Sequence, residues 1–173
     1  MVGDANLLQL PLAALFCSVK CPGSLILKAY DLAQELREAG TPVISGFHSP
    51  VEKDALVTLL RGSQPVVIAL ARGLEGMRMP AEFQKPIREG RLALVSAHPA
   101  TLRRPTSQTA EERNRLVGAL AERIIVIHAE TGGRLERACE EFVQWGKPIF
   151  TLKSEHNANL VVMGARILQS GGF

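Results

Sequence analysis

The chain has 173 residues, 46% of them hydrophobic and 21% charged, a balance that excludes wholesale disorder and leaves room for one domain with its own core. No apolar run reaches the ~18 residues of a membrane span, the N-terminus lacks the basic start and cleavage site of a secretory signal, and three cysteines make no disulfide framework, so a cytoplasmic protein is expected. The net charge of +3 conceals an uneven spread, with residues 61–115 holding 10 Lys/Arg against 5 Asp/Glu and nine of those ten cations being arginine, the phosphate-binding cation with a planar fork.

The elements alternate from the start. Leu12–Cys17 is a continuous apolar run of strand length, followed by a Lys20-Cys21-Pro22-Gly23-Ser24 turn and a helical pattern from Leu25 to a C-cap at Gly40. Pro42–Ser45 is a second strand. Ser49-Pro50-Val51-Glu52 carries the N-cap, the first-turn proline and the acidic residue of a helix that runs to about Arg61. Further strands are predicted at Pro65–Leu70, Leu92–Val95, Ile124–His128 and Pro148–Thr151, with helices over 108–121 and 133–145 and a closing helix over Asn159–Leu168. The stretch 71–90 reads as one long irregular loop, and the first six residues and Gly171–Phe173 as loose ends.

Wholly apolar strands, each followed by an amphipathic helix, define a parallel sheet covered on both faces. The expected fold is therefore α/β: a single three-layer, doubly wound Rossmann-like domain spanning 1–173, with a mainly parallel sheet of about six strands. In such folds ligands bind outside the carboxyl ends of the strands, where strand order reverses. The segments that emerge there are rich in Gly, Ser and Arg.

Ser18, Lys20, Gly23 and Ser24 join the first strand to the first helix, and free amides there could hold a phosphate; an ordinary strand–helix turn has the same composition. In the second turn, Ser45 and Gly46 precede His48, with Gly46 placed for close ligand approach. Arg72 and Arg78 stand six apart among glycines, as in a loop that closes over an anion or in a solvated one. Arg113 and Asn114 lie on the helix before the fifth strand. Thr131-Gly132-Gly133 leaves that strand and offers further amides. No G-x-G-x-x-G, P-loop or G-x-S-x-G is present. Cys17 and Cys21 have no partners to complete a zinc set, so neither metal nor cofactor is expected.

Ser45-Gly46-Phe47-His48-Ser49-Pro50, Ala71-Arg72-Gly73-Leu74-Glu75-Gly76-Met77-Arg78, Arg113-Asn114-Arg115-Leu116-Val117 and Asn157-x-Asn159-Leu160, in that order, resemble the DprA/Smf family, DNA-processing protein A. The resemblance covers about 12–168 and is strongest to stand-alone Rossmann cores. It implies a nucleotide or phosphate pocket at the sheet's carboxyl edge, single-stranded DNA or a nucleotide as partner, a fold that is often a homodimer, and Asn114 and Asn157 as base or sugar contacts. Full-length members also help load a recombinase. This chain has no room for their extra domains, so a recombinase is not an expected partner. The wider superfamily includes LOG nucleotide hydrolases, whose P-G-G-x-G-T-x-x-E corresponds here to Ala129–Glu136. Glu136 then stands one position out of register as candidate catalytic carboxylate, with Arg113 on the phosphate. A nucleoside monophosphate phosphoribohydrolase and a non-catalytic nucleotide sensor are the alternatives to nucleic-acid binding.

Overall fold

The computed structural model describes residues 1–169. Seven strands form one sheet: β1 (Ala13–Cys17), β2 (Val43–Ser45), β3 (Val66–Ala69), β4 (Leu92–Val95), β5 (Arg123–His128), β6 (Ile149–Thr151) and β7 (Arg166–Ile167). Their order is β4-β3-β2-β1-β5-β6-β7 and every pairing is parallel. Between them run α1 (Gly23–Glu38), α2 (Pro50–Leu60), α3 (Ala81–Arg88), α4 (Ser107–Leu120), α5 (Arg134–Gln144) and the short α6 (Ala158–Val162).

The strand pleat sorts the apolar residues into two layers. Ala13, Leu15, Ile125 and Ile127 pack with Leu25, Leu32 and Leu36 of α1 and with Val51, Ala55 and Leu59 of α2. Ala14, Phe16, Ile124 and Val126 face the other way, onto Val117 of α4 and Leu135 and Phe142 of α5. Phe142 is fully buried and its ring stacks on Phe16 with centroids 5.6 Å apart, the offset spacing that aromatic pairs favour. Both sheet faces are therefore covered, as continuous apolar strands require.

Three expectations need correction. The 71–90 stretch is not all loop: Ala81–Arg88 is helical, entered through Pro80, with Phe83 and Ile87 packed on the α1–α2 layer. Pro80 is the N-cap of this helix, and Pro86 is accommodated within it. The closing helix stops at Val162, and the chain turns through Gly164 into β7, a seventh strand alongside β6. The N-terminus is tied down, since Val2 pairs antiparallel with Leu94 through 2.9 and 2.8 Å bonds. Asp4 then caps a 3-10 turn over Ala5–Gln9 that buries Leu7. Gly171–Phe173 lie outside the described residues. Among those described, no helix is long and apolar enough to cross a membrane.

Candidate nucleic-acid interface

Strand order reverses at β1, which has β2 on one side and β5 on the other. The carboxyl ends of these three strands carry the turns with the strongest chemistry.

The β2–α2 turn is organised by a carboxylate. Glu52, only 5% exposed, accepts backbone N–H bonds from Cys17 at 2.8 Å, His48 at 2.7 Å and Ser49 at 3.3 Å. Ser49 completes the capping box by accepting from the Glu52 amide at 3.2 Å. Burial pushes the Glu52 carboxyl above its usual range, and the three amides and the nearby Arg113 charge pull it part of the way back. Ser45 is buried and its Oγ accepts from Phe47 N–H at 3.0 Å, which holds Phe47 at a φ of 45°.

Arg113 reaches this turn from α4. Its guanidinium lies flat against Gly46, so closely that a Cβ at that position would collide with Nη1 and Cζ. Glycine is required here for close approach rather than for a special φ. Arg113 is 7% exposed, and its Nε donates to Asn114 Oδ1 at 2.9 Å. Among the described residues, Nη1 and Nη2 have no hydrogen-bond partner and no carboxylate forms an ion pair with the group. Burial lowers the arginine's affinity for its proton, while Glu52 opposes this from a distance. His48 stands exposed beside it, its pKa held below the ordinary imidazole value by partial burial, then by Arg113 and Lys53.

At the β1–α1 turn, Ser18 links the two central strands: its N–H donates to His128 O at 2.9 Å, and its Oγ accepts from Glu130 N–H at 3.0 Å. Lys20, Gly23 and Ser24 are exposed. Pro22 occupies the N-cap of α1 and provides no side-chain bond to it. The β5–α5 turn differs from expectation. Thr131 is exposed, but the Gly132 amide donates to Glu136 Oε2 at 2.6 Å and the Gly133 amide to Glu130 O at 2.9 Å. Asn159 Nδ2 holds the other Glu136 oxygen at 2.6 Å. The glycine amides are thus occupied from within, with Glu136 reaching back to the residue before the N-cap of its own helix.

Asn157 is also drawn inward. It is fully buried, and Nδ2 donates to Ile127 O, Thr151 Oγ1 and Leu152 O at 2.9, 2.9 and 3.2 Å. Its Oδ1 meets His128 Nδ1 at 3.0 Å, which leaves nothing of its amide for a base or sugar. Arg72 follows the carboxyl end of β3, and Arg78 lies further along the same loop. That loop pairs with the one after β4 through Gly73 N to Leu102 O at 2.7 Å, and Arg72 O accepts from Ser96 Oγ at 2.7 Å. Cys21 is no activated thiol: it lies against Cys17 and Pro22 O, and burial pushes its pKa up.

Charge and motif reading passed over two side chains here. Glu52 resembled a routine first-turn acid, and His128 a strand-end histidine. His128 lines two adjoining clefts of about 490 and 380 Å³. A further cavity of about 430 Å³ lies between α1 and β7, where Lys28, Lys153 and Asp31 mix both signs of charge and favour no anion.

The fold and the edge site define a Rossmann-like α/β protein with a cationic centre at the carboxyl ends of its strands. Residues 1–171 match the DNA recombination-mediator protein A family, and the chain belongs to it. A comparison with curated protein sequences gives no match. Among solved structures, the chain is similar to DNA processing protein A of Streptococcus pneumoniae, with a TM-score of 0.79, 19% identity, and coverage of 98% of this chain and 62% of that one. It thus spans less than two thirds of that protein's length. DNA processing protein A of Helicobacter pylori, described as having a unique single-stranded DNA binding mode, gives 0.77 at 23% identity over 96% of this chain and 79% of that one. The molybdenum cofactor carrier protein of Chlamydomonas reinhardtii shares the fold at 0.64 and 9% identity, over 92% and 91% of the two chains.

Proposed function

We propose that the chain binds single-stranded nucleic acid along the carboxyl edge of its sheet, with a backbone phosphate held by Arg113 against Gly46. The observation that carries this reading is the buried guanidinium whose two terminal nitrogens have no partner among the described residues. A charge removed from water is costly unless paired, and a phosphate oxygen pair fits the arginine fork. Glu52 keeps the turn rigid, and His48 flanks the same anion. Arg72 and Arg78 extend the positive edge towards β3, and Lys20 extends it towards α1. Family membership supports the reading, as does the single-stranded DNA binding of the Helicobacter pylori protein.

The test is fluorescence anisotropy of a labelled ~20-nucleotide single strand across a salt series. Affinity that falls linearly in log–log form, with a slope near −0.7 per phosphate neutralised, is the expected result. Absence of binding at low salt, with a mononucleotide still bound, would reassign the edge to a small-nucleotide pocket.

A further inference from the structure

Arg103 and Arg104 belong to the loop between β4 and α4, and among the described residues neither has a hydrogen-bond or ion-pair partner. Both are exposed, yet the loop that carries them is held along its length. Gly73, in the loop after β3, donates its amide to Leu102 O at 2.7 Å, and Glu75 N–H donates to Ala100 O at 3.2 Å. The two loops press together so closely that a Cβ on Gly73 would collide with the Pro99 and Ala100 carbonyl oxygens. Ser96 Oγ, which donates to Arg72 O, also accepts from His98 N–H at 3.1 Å. At the far end of the loop, Thr106 forms a capping box with Thr109 at the start of α4. Only Arg103, Arg104 and Pro105 lie between the bond at Leu102 and that cap.

The partner loop is anchored in turn, since Leu74, Met77 and Met79 pack against the α1–α2 core layer. His98 ties the pair of loops to α4. Its Nε2 donates to Thr109 O at 3.2 Å, and its Nδ1 lies 3.4 Å from Oε2 of Glu112, the residue before Arg113. All strands run in one direction, so the turns after β2, β3 and β4 emerge side by side. At ~4.8 Å between strands, the end of β4 lies roughly 10 Å from the end of β2, where Arg113 meets Gly46. Segments 71–80 and 96–106 together carry four arginines against one carboxylate, Glu75. Guanidinium forks suit phosphate oxygens, and groups already held in place lose less freedom when a ligand lands on them.

We propose that Arg103 and Arg104, with Arg72 across the Gly73–Leu102 bond, form a second phosphate-binding patch that takes the backbone of a long single strand beyond the phosphate held by Arg113. The inference rests on the nucleic-acid reading above and adds the length of strand engaged. Contacts to phosphate carry no base preference, so the patch acts on length and salt dependence alone.

The experiment measures dT6 and dT20 binding across a salt series for the wild-type chain and for a double variant, Arg103→Ala with Arg104→Ala. Both side chains are exposed and unpaired, so the two proteins should unfold at similar temperatures. The variant should bind dT20 roughly fivefold to tenfold more weakly. Its dT20 salt slope should be shallower by about 1.4, two phosphates at ~0.7 each, while dT6 affinity stays within about twofold of wild type. An unchanged dT20 affinity and slope would overturn the patch and leave the Arg113 reading intact. An equal loss on dT6 and dT20 would overturn it as well, because the two arginines would then belong to the central site. No binding of either strand by wild type would overturn both readings.

Discussion

Arg113 bears a full charge in a place where only 7% of the residue meets solvent, pressed against a glycine that leaves room for nothing larger. Its replacement should separate binding from stability. Arg113→Ala removes a charge-assisted contact worth about 1.5–3 kcal/mol, so single-strand affinity should fall roughly tenfold to a hundredfold. The thermal midpoint should hold or rise, because an unpaired buried cation is lost. Gly46→Ala should lower affinity as well, by displacing the guanidinium without altering charge. The two ionisable neighbours predict opposite readouts. His48 has a depressed pKa; an anion on Arg113 would raise it, so binding takes up a proton and affinity grows as pH falls through the His48 range. A His48→Ala series should be flat there. Glu52 has a raised folded pKa, so the native state holds its proton longer than the unfolded chain does. Its stabilising contribution is complete below the unfolded value of about 4.3 and is lost as pH rises through the folded value. Thermal midpoints of Glu52→Gln across pH should lack that step, at some general cost in stability from weakened amide bonds.

Helix α4 matters to the site because it carries Arg113 to the β2 turn, and its own placement depends on α5. Gly118 lies against the Phe142 ring with no space for a methyl, and Arg115 grips Glu141 through two 2.7 Å bonds. Gly118→Ala should cost about 1–3 kcal/mol by overpacking. It should also weaken single-strand binding, since the helix must shift with Arg113 on it; denaturant midpoints and anisotropy on one preparation would check both effects. At this scale most of the fold was readable in the sequence, because strands buried on both faces appear as unbroken apolar runs and the capping box of α2 is local. What escaped was set by tertiary context. Helix α3 is held by Phe83 and Ile87 packing rather than by propensity, and β7 is two residues long and exists only beside β6. The site was readable in part for the same reason. Arg113 and Gly46 stand out by type and motif, but no local pattern reveals that Asn157 turns inward or that Glu136 closes the Gly132 amide.

For the molecule as a whole, the basic excess of residues 61–115 covers the chain from the end of α2 to the middle of α4. Arg113 from that segment reaches the β2–α2 turn, Arg72 follows the end of β3, and Lys20 follows the end of β1. A strand crossing the edge would meet cations on both sides of the point where strand order reverses, which is where doubly wound sheets bind their ligands. The measurement that bears most directly on this account is the paired salt series of wild type and Arg113→Ala on a ~20-nucleotide single strand, with both proteins shown to unfold at similar temperatures. The account predicts weaker binding by the variant at every salt concentration and a slope shallower by about 0.7, one phosphate fewer. Identical affinities and slopes in two equally folded proteins would contradict it.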